Sequence, residues 1–73
     1  MNAAERKARE LADKAIRAIN AYERAINARP SYLAPETAWD AYTARVRARK
    51  GTERRYIRAA FRASGLPVPG VFS

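Results

Sequence analysis

The sequence contains no cysteine and no histidine among its 73 residues. Disulfides, thiol nucleophiles and the usual ligands of zinc, haem and iron–sulfur clusters are therefore excluded. The three glycines do not form a loop that cradles phosphate groups, and the seven carboxylates fall mostly at helix starts or in charge ladders. The commonest parts of an active site are thus missing. We expect no enzyme, no cofactor, no metal site and no small-molecule substrate.

Long apolar runs are also missing. No segment approaches the ~20 apolar residues of a membrane span, and the N-terminus is charged where a signal peptide would be apolar. These features predict a cytoplasmic protein with no membrane span.

Large hydrophobic side chains are few. Apolar residues make up 48% of the chain, but 17 of them are alanines, which favour helix and fill little space. A chain of this length forms one domain, residues 1–73, with a thin core. We expect the only tryptophan, Trp39, to be buried between the first two helices, near Ile19 or Tyr22.

The first predicted helix covers residues 3–28. Asn2 and Glu5 have the spacing of a capping box, and no helix breaker follows before Pro30. One face is apolar, with residues at i, i+4, i+7 and i+8 spacing, and the other carries opposite charges four residues apart. The ladder pairs are Glu5–Arg9, Arg6–Glu10, Arg9–Asp13, Glu10–Lys14 and Asp13–Arg17.

Two shorter helices are predicted after a loop in which Tyr32 and Leu33 cap the end of the bundle. The second covers residues 35–50 and starts at a proline, which suits the first helical position. Gly51 is expected to end it in the left-handed conformation. The third covers residues 53–64, with a threonine cap before it and a glycine stop after it.

The non-helical tail, residues 66–73, contains two prolines and a glycine but is otherwise apolar. We expect it to be ordered, with Leu66 contacting Phe61 in a Schellman motif. The predicted fold is therefore all-α, a small three-helix bundle with an ordered apolar, Pro-rich tail. The alternative is a homodimer of long hairpins that pack through their first helices.

Positive charge is concentrated in the second half of the chain. The net charge is +8, and residues 45–62 carry eight basic side chains against one acidic residue, Glu53. Such a field favours polyanionic partners. Four arginines of the third helix share an arc of about 100°, which suits phosphate contacts: Arg54, Arg55, Arg58 and Arg62. The alternative is that they are ordinary solvated arginines.

Arg47 and Lys50, at the end of the second predicted helix, complete the candidate site. With Arg45 and Arg49 they wrap around that helix, where cations also complement the helix dipole. Structural roles alone could explain this cluster, so it supports binding less strongly than the third helix does.

The segment from the second to the third predicted helix resembles a helix-turn-helix over about 30 residues. Val46, Gly51 and Ile57 stand at the motif's apolar, glycine and packed aliphatic positions, whereas Arg47 departs from its usual small residue. The resemblance implies a recognition helix that enters the major groove of DNA.

Two functions are consistent with these features. The first is a small basic protein that binds nucleic acid, DNA in preference to RNA, as an accessory or regulatory factor. The excess of arginine over lysine and the many alanines in the sequence indicate a GC-rich coding genome, bacterial or phage. The second is a protein-interaction module, such as a phage-type inhibitor or an assembly subunit, that uses the same arginines and the apolar tail against an acidic protein surface.

Overall fold

The computed structural model describes residues 2–73 and is all-helical, as the sequence predicts. Helix α1 spans Ala3–Asn27 and helix α2 spans Glu36–Ala63, and the two pack as an antiparallel hairpin. A short 3₁₀ turn, Gly70–Phe72, follows. The molecule measures 53 × 23 × 13 Å, so it is long, two helices wide and one helix thick.

The predicted three-helix bundle is wrong because α2 continues through Gly51. The expected helices at 35–50 and 53–64 are one helix of 28 residues. Gly51 does not adopt the left-handed conformation, and Thr52, the expected cap, donates its hydroxyl to the carbonyl of Ala48 at 3.1 Å. A helical glycine costs only about 1 kcal/mol relative to alanine, whereas a break creates two helix ends with unpaired backbone groups. The helix-turn-helix resemblance therefore fails.

The start of α1 is capped as predicted. The Asn2 side chain accepts the Glu5 backbone N–H at 2.8 Å, and its amide donates to the Glu5 carboxylate at 3.5 Å. The charge ladder is largely wrong. Among the described residues only Lys14 and Glu10 form an ion pair, at 3.7 Å. The other ladder side chains stay in solvent, where such pairs gain little over hydration.

The aromatic residues at the start of α2 hold the closed end of the hairpin. The Trp39 indole N–H donates to the carbonyl of Ser31 at 3.2 Å, and the Tyr42 hydroxyl donates to the carbonyl of Ile26 at 3.0 Å. The second bond satisfies a carbonyl in the last turn of α1, where helical partners run out. The two rings meet edge to face at 5.7 Å.

These contacts correct two predictions about the aromatic residues. Trp39 is half-buried at the end of the hairpin, where its N–H reaches a loop carbonyl, and does not fill the centre of a bundle. Tyr32 and Leu33 are 87% and 79% exposed and do not cap the bundle, since no third helix lies over the loop.

The end of α2 forms the predicted Schellman motif. Gly65 adopts a φ of 75°, the Leu66 N–H donates to the carbonyl of Phe61 at 3.0 Å, and the Gly65 N–H donates to that of Arg62 at 3.1 Å. This turn reverses the chain, and the tail lies back against α2 with Phe72 half-buried. The tail contacts α2 through its 3₁₀ turn, and Val68 and Phe72 are its two half-buried residues.

The core is thin. Three alanines of α1 and Ile57 of α2 are buried, and among the described residues no side chain is fully buried. The accessible surface is 5485 Å², against about 4,500 Å² expected for a folded monomer of 8.2 kDa. The hairpin therefore depends on few apolar contacts.

Substitution of the two glycines tests the continuity of α2. Gly51→Ala is expected to raise the free energy of unfolding by about 0.5–1 kcal/mol, because the site is helical and open. Gly65→Ala is the matched control and should lower it by about 1–2 kcal/mol, because a side chain strains the left-handed conformation. Urea denaturation followed by circular dichroism measures both. Destabilisation by Gly51→Ala would indicate a break at Gly51.

Candidate nucleic-acid interface

The six basic residues predicted as the candidate site lie on one side of α2. Successive residues of a helix are about 100° apart, so an unbroken α2 places all six within an arc of about 140° and along about 22 Å. We call this surface the arginine strip: Arg47, Lys50, Arg54, Arg55, Arg58 and Arg62. Arg47 and Lys50 join the four arginines of the predicted third helix because the helix continues through Gly51.

The side chains of the strip have different surroundings. Arg47, Lys50 and Arg62 are exposed, and Arg54 is half-buried. The Arg55 guanidinium is exposed and lies over the Tyr56 ring, 5.5 Å from its centroid. Such stacking holds a guanidinium in place without neutralising it.

Arg58 also holds the tail. Its Nη1 donates to the carbonyl of Phe72 at 3.0 Å, in a part-buried contact. This bond uses one donor of five and leaves the charge in place. Substitution of Arg58 is therefore expected to disturb the packing of the tail as well as any contact with an anion.

The positive charge of the strip is uncompensated within the described residues. None of its six side chains has a carboxylate within 4 Å, since the one ion pair is between Lys14 and Glu10. Glu53, the one acidic residue in this part of α2, lies about 100° or more from most of the strip around the helix. The strip therefore carries six positive charges without a carboxylate partner, and Arg54 and Arg58 are the two residues of the six that are partly buried.

A second cationic surface lies on the opposite flank of α2. Arg45 and Arg49 of α2 face Arg17 and Arg24 of α1 across an open groove between the helices. Its floor is formed by Ala18, Ala21, Ala25 and Ala28, and Lys14, Thr52 and Tyr56 stand at one end. We call this surface the alanine groove. None of the acidic residues among residues 2–73 lines it.

Sequence reasoning missed the alanine groove. It placed Arg45 and Arg49 in a cluster that wraps around the helix and treated the cations of α1 as part of a balanced face. The sequence did show that Arg17 and Arg24 share one face of α1, because they are seven residues apart and therefore lie within about 20° of each other around the helix axis. Their meeting with the α2 arginines depends on how the two helices align.

Residues 2–73 contain no cluster of three or more acidic side chains that could hold a metal ion. Neither helix, over the described residues, has a stretch long and apolar enough to cross a membrane. No protein-family model, curated protein or solved structure matches the chain. The candidate interface therefore rests on charge and geometry alone.

Proposed function

We propose that this protein binds double-stranded nucleic acid through the arginine strip, as an accessory or regulatory factor of bacterial or phage origin. The observation that carries the proposal is the strip itself, six basic side chains on one side of one helix with no carboxylate partner. Guanidinium groups stay charged and pair with phosphate oxygens through two parallel hydrogen bonds. Each strip residue is a phosphate contact.

The shape of α2 favours DNA over RNA. The strip runs for about 22 Å along one straight helix, which matches about six base pairs at 3.4 Å per base pair. The major groove of B-form DNA is about 12 Å wide and admits a helix, whereas that of A-form RNA is too narrow for side chains to read. Phosphate contacts position a protein without reading bases, so we expect weak sequence preference.

Salt dependence tests the proposal. Fluorescence anisotropy with labelled duplex DNA, single-stranded DNA and duplex RNA should give the tightest binding for duplex DNA and a steep loss of affinity with salt. Arg62→Gln should reduce the slope of log affinity against log salt by about 0.9, the value of one neutralised duplex phosphate. Arg62 is exposed and outside the tail contact, so folding should not change.

Arg9→Gln is the matched control, because Arg9 is an exposed arginine on α1 outside both cationic surfaces. It should leave the slope nearly unchanged. Dissociation constants weaker than about 10⁻⁴ M for all three nucleic acids near physiological salt would refute the proposal, since they fall below ordinary non-specific binding.

A protein partner is the second candidate function, favoured by the position of apolar tail residues beside the strip. Val71 and Leu66 are 66% and 56% exposed, although Phe72 and Val68 pack inward. Exposed apolar side chains next to arginines suit an acidic protein surface with an apolar patch. Loss of such a partner on Arg62→Gln, with no nucleic-acid binding, would support this alternative.

A further inference from the structure

The alanine groove is lined by arginines of both helices and by no acidic residue of the part of the chain that the structure describes. Arg17 and Arg24 form one wall, and Arg45 and Arg49 form the other. Lys14 is the one cation of the groove with an acidic partner, Glu10. Like charges that face each other destabilise a fold by Coulomb repulsion, and the repulsion is strongest at low salt.

Covering the alanines explains only part of the arrangement. The aliphatic stems of arginines shield apolar surface from water. A lysine on one wall and a glutamate on the other would shield the alanines equally well, and their opposite charges would attract each other. Four guanidinium groups on two walls are favourable when an anion lies between them. The arrangement is therefore typical of an anion site.

The dimensions of the groove select the anion. The groove follows the seam between two helices, whose axes pack about 8–10 Å apart, so a single extended strand can lie along its floor. From Lys14 to Ala28 it runs for about 21 Å, the length of several nucleotides. Tyr56 lines one end, and Lys14 and Arg55 lie 6.0 and 5.5 Å from the centroid of its ring, so cations flank the ring and add to the positive charge of this end. An isolated phosphate ion would engage only part of this length.

We propose that the alanine groove binds the phosphate backbone of single-stranded nucleic acid, separately from the duplex that the arginine strip binds on the opposite flank. The choice of nucleic acid as the polyanion rests on the proposed function. Two such surfaces on one molecule would let it hold a duplex and an unpaired strand together, as at a junction between the two.

Two double variants that remove equal charge test the assignment. The groove variant carries Arg17→Gln and Arg49→Gln, and the strip variant carries Arg54→Gln and Arg62→Gln. The probes are an oligothymidylate of about 12 nucleotides and a duplex of about 20 base pairs. Single-strand contacts contribute about 0.7 and duplex contacts about 0.9 to the salt slope, so at 0.1 M salt two lost contacts reduce affinity about 25-fold and 60-fold.

The expected result is a crossed pattern. The groove variant should lose about 25-fold in single-strand affinity and no more than about threefold in duplex affinity, and the strip variant should show the reverse. Equal losses on both probes, or unchanged single-strand binding by the groove variant, would overturn the groove assignment. Failure of duplex binding with groove-dependent single-strand binding would refute the proposed function and leave the groove assignment standing.

Thermal stability supplies a readout independent of binding. Without nucleic acid and at low salt, the groove variant should melt at a higher temperature than the parent protein, because repulsion across the groove is relieved. The strip variant should change less, since Arg54 and Arg62 do not line the groove between the two helices. A lower melting temperature for the groove variant, together with unchanged single-strand binding, would show that its arginines only stabilise the hairpin by packing and would overturn the proposal.

Discussion

Simultaneous replacement of Arg47, Arg54 and Arg62 by glutamine is expected to weaken duplex binding about 500-fold at 0.1 M salt. Each neutralised duplex phosphate contributes about 0.9 to the slope of log affinity against log salt. Three lost contacts therefore remove about 2.7 from the slope and a similar amount from log affinity at that salt concentration. Arg58 is left in place because it also holds the tail. Anisotropy titrations over a range of salt concentrations measure both quantities.

The matched control removes three charges from elsewhere. Arg6, Lys7 and Arg9 are exposed near the start of α1, outside the strip and the groove, and glutamine is nearly as good a helix former as arginine or lysine. This triple variant has the same net charge as the strip variant. If both lost affinity equally, net charge alone would explain binding, and the strip would not be a contact surface.

The helical class, the first helix and both helix ends around the loop follow from local signals. The capping residues Asn2 and Glu5 and the breaker Pro30 place α1 to within one residue. The Schellman turn at Gly65 was predictable because glycine, the preceding helix and the following Leu66 are all local. Such signals act within a few residues and do not depend on the tertiary fold.

Gly51 shows where local reasoning fails. A glycine after basic residues and before a threonine has the pattern of a helix end, but residues 48–50 before it and residues 53–55 after the threonine are strong helix formers. Whether the helix continues depends on two free energies. A glycine inside a helix costs about 1 kcal/mol, whereas a break would remove the packing of α2 along α1. The free energy of packing α2 along α1 can be judged only from the structure.

The candidate interface was likewise predictable from sequence only where it depends on a single helix. The arc of Arg54, Arg58 and Arg62 depends only on helical periodicity, so the sequence was sufficient to predict it. The addition of Arg47 required an unbroken α2. The groove required the alignment of α1 against α2, which periodicity does not determine, because a periodic pattern identifies the buried face of a helix and not its neighbours along the axis.

Ile57→Ala is expected to lower the free energy of unfolding by about 2–3 kcal/mol, the largest stability loss from a single truncation in this hairpin. Ile57 is 8% exposed and is the one large side chain among the buried residues. A domain of this size has a total stability of about 4–11 kcal/mol, and each kcal/mol shifts its melting temperature by about 4–8 °C. The melting temperature should therefore fall by about 10–20 °C.

Ile16→Ala is the matched control, with the same chemical change on the flank of α1, where Ile16 is 56% exposed. The lost burial is small and alanine favours helix more than isoleucine does, so stability should change by less than about 1 kcal/mol. If Ile16→Ala cost as much as Ile57→Ala, the flank of α1 would have to be covered in solution. A second copy of the hairpin would be the explanation if the parent's melting temperature also rose with protein concentration, since association stabilises the folded state by mass action. A monomeric hairpin with its core at Ile57 requires two results. The melting temperature must not depend on protein concentration, and Ile57→Ala must lower the free energy of unfolding more than Ile16→Ala does.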